Sequence, residues 1–140
     1  MGNQNSIQRI NFEDIQYAIK NKNKYVIINT ISSCEQDCLI PNTIDIKNEE
    51  SIINNLISKN INITIIIYGI NSNDMTIYDK HEQLSKLGFI NIYLYPGGIF
   101  EWLCLQDIYS DELFPTTKKE LDILKYKPNS KLNQMYITNE

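Results

Sequence analysis

The chain alternates short apolar runs with longer stretches in which apolar residues recur every three or four positions. The runs predict buried strands, and the 3.6-residue period predicts helices packed on them. Tyr25–Thr30 (YVIINT) and Ile61–Tyr68 (INITIIIY) are the clearest runs, and the second is apolar on both faces, as expected of a strand covered on both sides of a parallel sheet. Ile7–Ile10, Ile44–Ile46 and Phe89–Tyr95 are three further strand candidates. Asn11, followed by Glu13 and Asp14, predicts a capped helix to about Asn21 with Ile15, Ala18 and Ile19 on its inner face. Asn48, Glu49 and Glu50 open a second helix with Ile52, Ile53, Leu56 and Ile57 inward. Ile77, His81, Leu84 and Leu87 line a third, which Gly88 stops. Pro96-Gly97-Gly98 turns the chain into a short buried helix, Ile99–Leu105, and Thr117 with Glu120 predicts a capping box for a last helix reaching Leu124. This alternation predicts an α/β fold: one domain over residues 7–124, with a mostly parallel five-stranded sheet and helices on both faces, between a tail at 1–6 and a polar tail at 125–140.

Composition narrows this picture. With 26 Ile and 18 Asn, the bias of an AT-rich coding sequence, Ile-rich runs overstate strand propensity and the period has to decide. The net charge is −4 with Lys and Arg scattered, which argues against a nucleic-acid partner, since that would want a basic stripe. No apolar run approaches the about eighteen residues of a membrane-spanning helix. Cys34, Cys38 and Cys104 are an odd set without a secretory signal, so a reducing, cytoplasmic compartment is expected. A Cys-x3-Cys pair with no third or fourth ligand gives no metal site, and no cofactor is expected. His81, the only His, lies in the apolar stripe of its helix and suits a partly buried structural role.

The N-terminus adds a separate feature. Met1-Gly2 followed by Ser6 matches the N-myristoylation pattern, in which Gly2 is acylated. One myristoyl chain anchors only marginally, with an association constant of about 10⁴ M⁻¹. Arg9 is the only base nearby and the tail has no Cys, so the expectation is weak, peripheral membrane attachment.

The loop Gly69-Ile70-Asn71-Ser72-Asn73-Asp74 lies between the central strand and the third helix, where parallel α/β folds gather ligands and catalysis. It holds no Cys, His, Lys or Arg.

The order of elements and four stretches together resemble the rhodanese-like domain, the sulfurtransferase fold, from about Ile7 to Leu105. YVIINT stands where that family has a strand ending in Asp-x-Arg, and Leu39-Ile40-Pro41-Asn42-Thr43 where it has His-Ile-Pro-Gly-Ala. TIIIYG leads into the active-site loop. LSKLGFINIYLYPGGIFEW, with Gly97, Gly98 and Trp102, matches the family's ending and is the most specific of the four. WLCLQDIYSDELFPTT is in addition similar to small single-domain forms from eukaryotes and giant viruses. The resemblance implies a Cys at the end of the central strand that carries a sulfane sulfur as a persulfide, held by loop N–H groups and a helix N-terminus, often with an Arg late in the loop.

This chain departs from that pattern. Gly69 holds the Cys position, Ser72 a Gly position and Asp74 the place of the Arg; Asn29 and Ile31 replace Asp and Arg, and Leu39 the His. Gly69 has no nucleophile, which also excludes the dual-specificity phosphatase chemistry of the same fold, and Asp74 would repel an anionic substrate. The resemblance therefore implies a catalytically inactive module that binds an unknown protein partner. The alternative is an atypical sulfurtransferase or thiol redox protein using Cys34 or Cys38, although Glu35 and Asp37 are expected to raise those thiol pKa values. A purely structural scaffold is the third reading. Cys104 suits the core, and Tyr93, Tyr95, Tyr109 and Phe114 form either core or an aromatic binding patch.

Overall fold

The computed structural model describes residues 6–132; Gly2 lies outside them, as do residues 133–140. The order is β1 (Gln8–Arg9), α1 (Phe12–Lys20), β2 (Tyr25–Asn29), α2 (Ile46–Lys59), β3 (Thr64–Tyr68), α3 (Thr76–Lys86), β4 (Ile92–Tyr95) and α4 (Gly98–Tyr109), with single 3₁₀ turns at Lys22–Lys24 and Ile123–Tyr126. The strands form one parallel sheet in the order β1-β4-β3-β2. No helix among the described residues is long and apolar enough to cross a membrane.

β3 is central, and successive residues along a strand point to opposite faces, so its Ile run serves two cores. Ile66 and Tyr68 pack with Ile27 and Tyr95 against Ile15 and Ala18 of α1 and Ile99, Trp102 and Leu103 of α4. Ile65 and Ile67 pack with Val26, Ile28, Ile92 and Leu94 against Ile53 of α2 and Ile77 and Leu84 of α3. The helices thus cover both faces, as the continuous apolar pattern requires. Asn11 caps α1 as its sequence position predicts: its Oδ1 accepts from the Glu13 and Asp14 amides, and Asp14 Oδ2 accepts from the Asn11 amide.

The sheet has four strands, not the five expected, because Ile44–Ile46 does not form one. Asp45 accepts a 2.9 Å hydrogen bond from the Lys47 amide and caps α2, which starts at Ile46. What remains of the fifth strand is one parallel bridge between Ile27 and Thr43. Asn42 just before it has φ 71°, a left-handed conformation that Asn tolerates, at the position where the resemblance places a Gly. β4 begins only at Ile92, because Gly88 at φ 109° turns the chain and Phe89 is buried beneath the turn.

The expected helix after Thr117 also does not form. The Thr117 hydroxyl donates to the Asp37 carbonyl (2.9 Å) and accepts from the Leu39 amide (3.0 Å), while its own amide donates to the Leu39 carbonyl (2.8 Å). With that side chain spent on a distant loop, the segment becomes a strap that ends in the 3₁₀ turn, where Tyr126 is buried in the first core. Trp102 fastens the strap: its Nε1 donates to the Pro115 carbonyl at 2.7 Å and its ring meets Phe114 at 5.0 Å, near-perpendicular. Trp102→Ala should lower the free energy of unfolding in urea by about 3–5 kcal/mol. Leu121→Ala, at a side chain 83% exposed, should stay within about 0.5 kcal/mol of the parent.

Candidate functional site

β3 delivers the chain to the carboxyl pole of the sheet at Gly69. The loop that follows bonds to itself. Asn71 Oδ1 accepts from the Asn73 amide (3.0 Å), and the Asn71 carbonyl accepts from the Asp74 amide (3.1 Å). Asp74 then turns back over the loop. Its Oδ2 accepts from the Ile70 amide (2.9 Å); its Oδ1 accepts from the Thr76 amide (3.0 Å) and the Thr76 hydroxyl (2.6 Å). Thr76 Oγ1 also lies 2.8 Å from Thr30 Oγ1. Thr30 is the acceptor in that contact, so the single Thr76 proton is divided between Thr30 and the carboxylate, the stronger acceptor of the two. The amides of Ile70, Asn73 and Thr76, an array suited to hold an anion, thus already have acceptors within the loop.

Gly69 sits directly beneath that carboxylate. A Cβ there would overlap Asp74 Oδ2 and come within 3.0 Å of Asp74 Cγ and 2.9 Å of Thr30 Oγ1. Gly69 and Asp74, two separate departures from the pattern that the resemblance implies, are therefore sterically linked: the Asp74 carboxylate occupies space that a residue-69 side chain would need.

Helix α4 closes the other side. The Ile99 amide donates to the Gly69 carbonyl (3.0 Å) and the Phe100 amide to the Ile70 carbonyl (2.9 Å). Gly98 makes this approach feasible, with φ 68° and room for no Cβ, which would come within 2.7 Å of the Gly69 carbonyl oxygen. Asn71 Nδ2 donates to the Tyr126 carbonyl (2.8 Å), so the C-terminal strap also holds the loop. Ser72 and Asn73 remain exposed at its tip.

The structure places the cysteines apart from this cradle. Cys34 and Cys38 share a hollow of about 90 Å³ with Lys118, Lys119, Lys125 and Tyr126, and no loop residue from 69 to 74 lines it. Cys34 is exposed, with Sγ 3.2 Å from Ser32 Oγ. Cys38 is buried, and burial is the main cause that pushes its thiol pKa up, with Glu120 adding to it. That direction agrees with the sequence expectation, but the cause differs. Glu35 is drawn instead into an ion pair with Lys125 (3.6 Å), which also meets Glu120 (2.9 Å). Cys104 is half-buried on α4. His81 is half-buried, and burial lowers its pKa.

The aromatic patch separates in the same way. Tyr95 and Phe114 are core residues on either side of Trp102, and Tyr109 is exposed. Tyr93 points into a different cavity. Tyr95 donates a 2.7 Å hydrogen bond to Glu101; burial above all, then that carboxylate, hold its phenol pKa far above the usual range.

Some positioning residues carried no clear signal in the sequence. Tyr68 is fully buried; its hydroxyl accepts from the Ile40 amide (3.1 Å) and lies 2.7 Å from Thr43 Oγ1, pinning the Ile40–Thr43 turn to β3. Asn29, at the Asp position of the resemblance, is buried and accepts from the Ile31 amide (3.0 Å) and Gln36 Nε2 (2.8 Å), shaping the cysteine loop. The one available hint was position, since Asn29 and Tyr68 end strands at the carboxyl pole and Thr30 directly follows one.

No family model and no curated protein matches the chain. Solved structures do match its architecture. A rhodanese-like domain from Anabaena sp. aligns at TM-score 0.52 and 16% identity, over 90% of this chain and 88% of that one. An As-Sb reductase from Leishmania major aligns at TM-score 0.55 and 17% identity, over 96% and 100%. A thiosulfate sulfurtransferase from Pseudomonas aeruginosa aligns at TM-score 0.55 and 16% identity over 70% of this chain, which spans only 19% of that protein. This is the rhodanese-like fold. Within it, the Gly69–Asp74 loop follows the central strand, as the resemblance in sequence led one to expect.

Two measurements test the site's construction. In denaturation, Asp74→Ala should cost about 1–3 kcal/mol by leaving the Ile70 and Thr76 amides without acceptors. Gly69→Ala should also destabilise, and the double variant should lose at least about 1 kcal/mol less than the sum of the single losses, because the clash needs both partners. In brief alkylation of the folded protein, peptide mapping should find Cys34 modified well before the 3%-exposed Cys38.

Proposed function

We propose that this chain is a catalytically inactive rhodanese-like domain that works as a binding or regulatory module for another protein. The observation that carries this is the Asp74 carboxylate seated over Gly69, on the amides that a bound anion would need. Gly69 offers no nucleophile, so neither a persulfide nor a thiophosphate can form at that position. The fold's neighbours include a thiosulfate sulfurtransferase and an As-Sb reductase, but those activities belong to those proteins. In this reading a myristoyl group on Gly2 holds the module loosely against a cytoplasmic membrane face.

A second reading keeps some sulfur or redox chemistry, with Cys34 as its carrier. Its support is the exposure of Cys34 in the hollow it shares with Lys118 and Lys119.

A thiosulfate:cyanide sulfurtransferase assay on the purified protein should give background turnover; turnover well above background refutes inactivity. Gly69→Cys alone should stay inactive, because the new side chain meets Asp74. Gly69→Cys combined with Asp74→Gly should trap more persulfide at position 69 than the single variant does. Persulfide mapped to Cys34 in the parent, and lost in Cys34→Ser, would favour the second reading. Co-expression with an N-myristoyltransferase should add one myristoyl group at Gly2, and an unmodified N-terminus in the mass spectrum would remove the membrane part of the proposal.

A further inference from the structure

At the pole of the sheet opposite the Gly69 loop, a cavity of about 260 Å³ opens between α1 and the amino ends of the strands. It is lined by three tyrosines, Tyr17, Tyr25 and Tyr93, with Asp14, Thr64, Ile10 and Ile66 completing it. Local structure brings these together. Asp14 and Tyr17 are three apart on α1 and share a face. Tyr25 is the first residue of β2, and Tyr93 pairs with Ile66 on the same face of the sheet. The rings of Tyr17 and Tyr25 stand 6.1 Å apart at 82°, forming a corner of two aromatic walls.

We propose that this cavity binds an alkylated ammonium group, with the three tyrosines as an aromatic cage and Asp14 as its counter-charge. Aromatic faces carry negative potential and attract such cations, more strongly where water is excluded. The volume far exceeds one water's share of about 30 Å³, so an organic head group has room. A metal ion fits poorly, since one carboxylate falls short of the oxygen shell that hard cations require. An anion would be repelled by Asp14. Among the described residues, no Lys, Arg or His lines the cavity. The nearest arginine in the sheet, Arg9, is turned to the other face, where its guanidinium lies 5.6 Å from the Tyr78 ring centre. The hydrogen bond that Asp14 accepts comes from the neutral Asn11 amide, which leaves its charge in place. Burial is the main cause that raises the Tyr25 phenol pKa, and Asp14 pushes it the same way; only this second, Coulombic part would favour a cation beside the ring.

The test is an NMR titration of the full chain with choline and with its neutral isostere 3,3-dimethylbutan-1-ol. Choline should shift the amide signals of Asp14, Tyr17 and Tyr25 saturably, with the isostere at least about tenfold weaker. Tyr17→Leu, at a half-exposed side chain, and Asp14→Asn, which keeps the cap acceptor, should each weaken choline binding by about tenfold with the spectrum of the folded protein retained. A parallel titration with a peptide bearing N6-trimethyllysine separates the two sources of the group: tighter binding of the peptide assigns a protein side chain, tighter binding of choline a small amine. Absence of saturable shifts with both cations, or equal affinity for the neutral isostere, overturns the proposal.

Discussion

The central strand β3 has to bury both of its faces, and much of the molecule follows from that. Its residues from Ile65 to Tyr68 are buried, so its side chains can be only apolar or, as with Tyr68, internally bonded. The chain first becomes polar at Gly69, where the strand ends and backbone groups lose the sheet's ladder. Loop amides at that point need acceptors. Asp74 supplies two of them and Asn71 a third, while the α4 amides take up the Gly69 and Ile70 carbonyls. The Ile70, Asn73, Asp74 and Thr76 amides are thus bonded within the loop itself.

The same pole is covered a second time. The strap after α4 is tied down by Trp102, Gln106 and Thr117, the last to the loop that carries the cysteines. Tyr126 stands between the two loops: its carbonyl receives Asn71, and its side chain lines the hollow of Cys34 and Cys38. What faces solvent at this pole is therefore a composite of three segments far apart in sequence.

Much of the architecture was legible in the sequence because periodicity follows directly from burial. The two-faced Ile run of β3, the Asn11 cap and the Gly98 turn all follow local rules. The errors came where a side chain had a choice of partners. Asp45 caps α2 and thereby removes the strand that the Ile44–Ile46 pattern predicts. Thr117 looked like a capping residue, but its hydroxyl is taken by Asp37 and Leu39, about eighty positions away. The loop's lack of a Cys could be read from its letters. That Asp74 folds over Gly69 could not, since an Asx-type turn residue can cap forwards or backwards and tertiary packing decides. The burial of Cys38 was equally invisible in a locally polar stretch.

The contact between Asp74 and Gly69 also bears on how this loop can change by mutation. A side chain introduced at 69 meets the carboxylate, and removal of the carboxylate alone strands two amides. Each single step towards a thiol-bearing loop is uphill in stability, although the two together need not be. In sequence space the pair acts as a ratchet, keeping the rhodanese-like frame while closing the one-step route to a nucleophile at its centre.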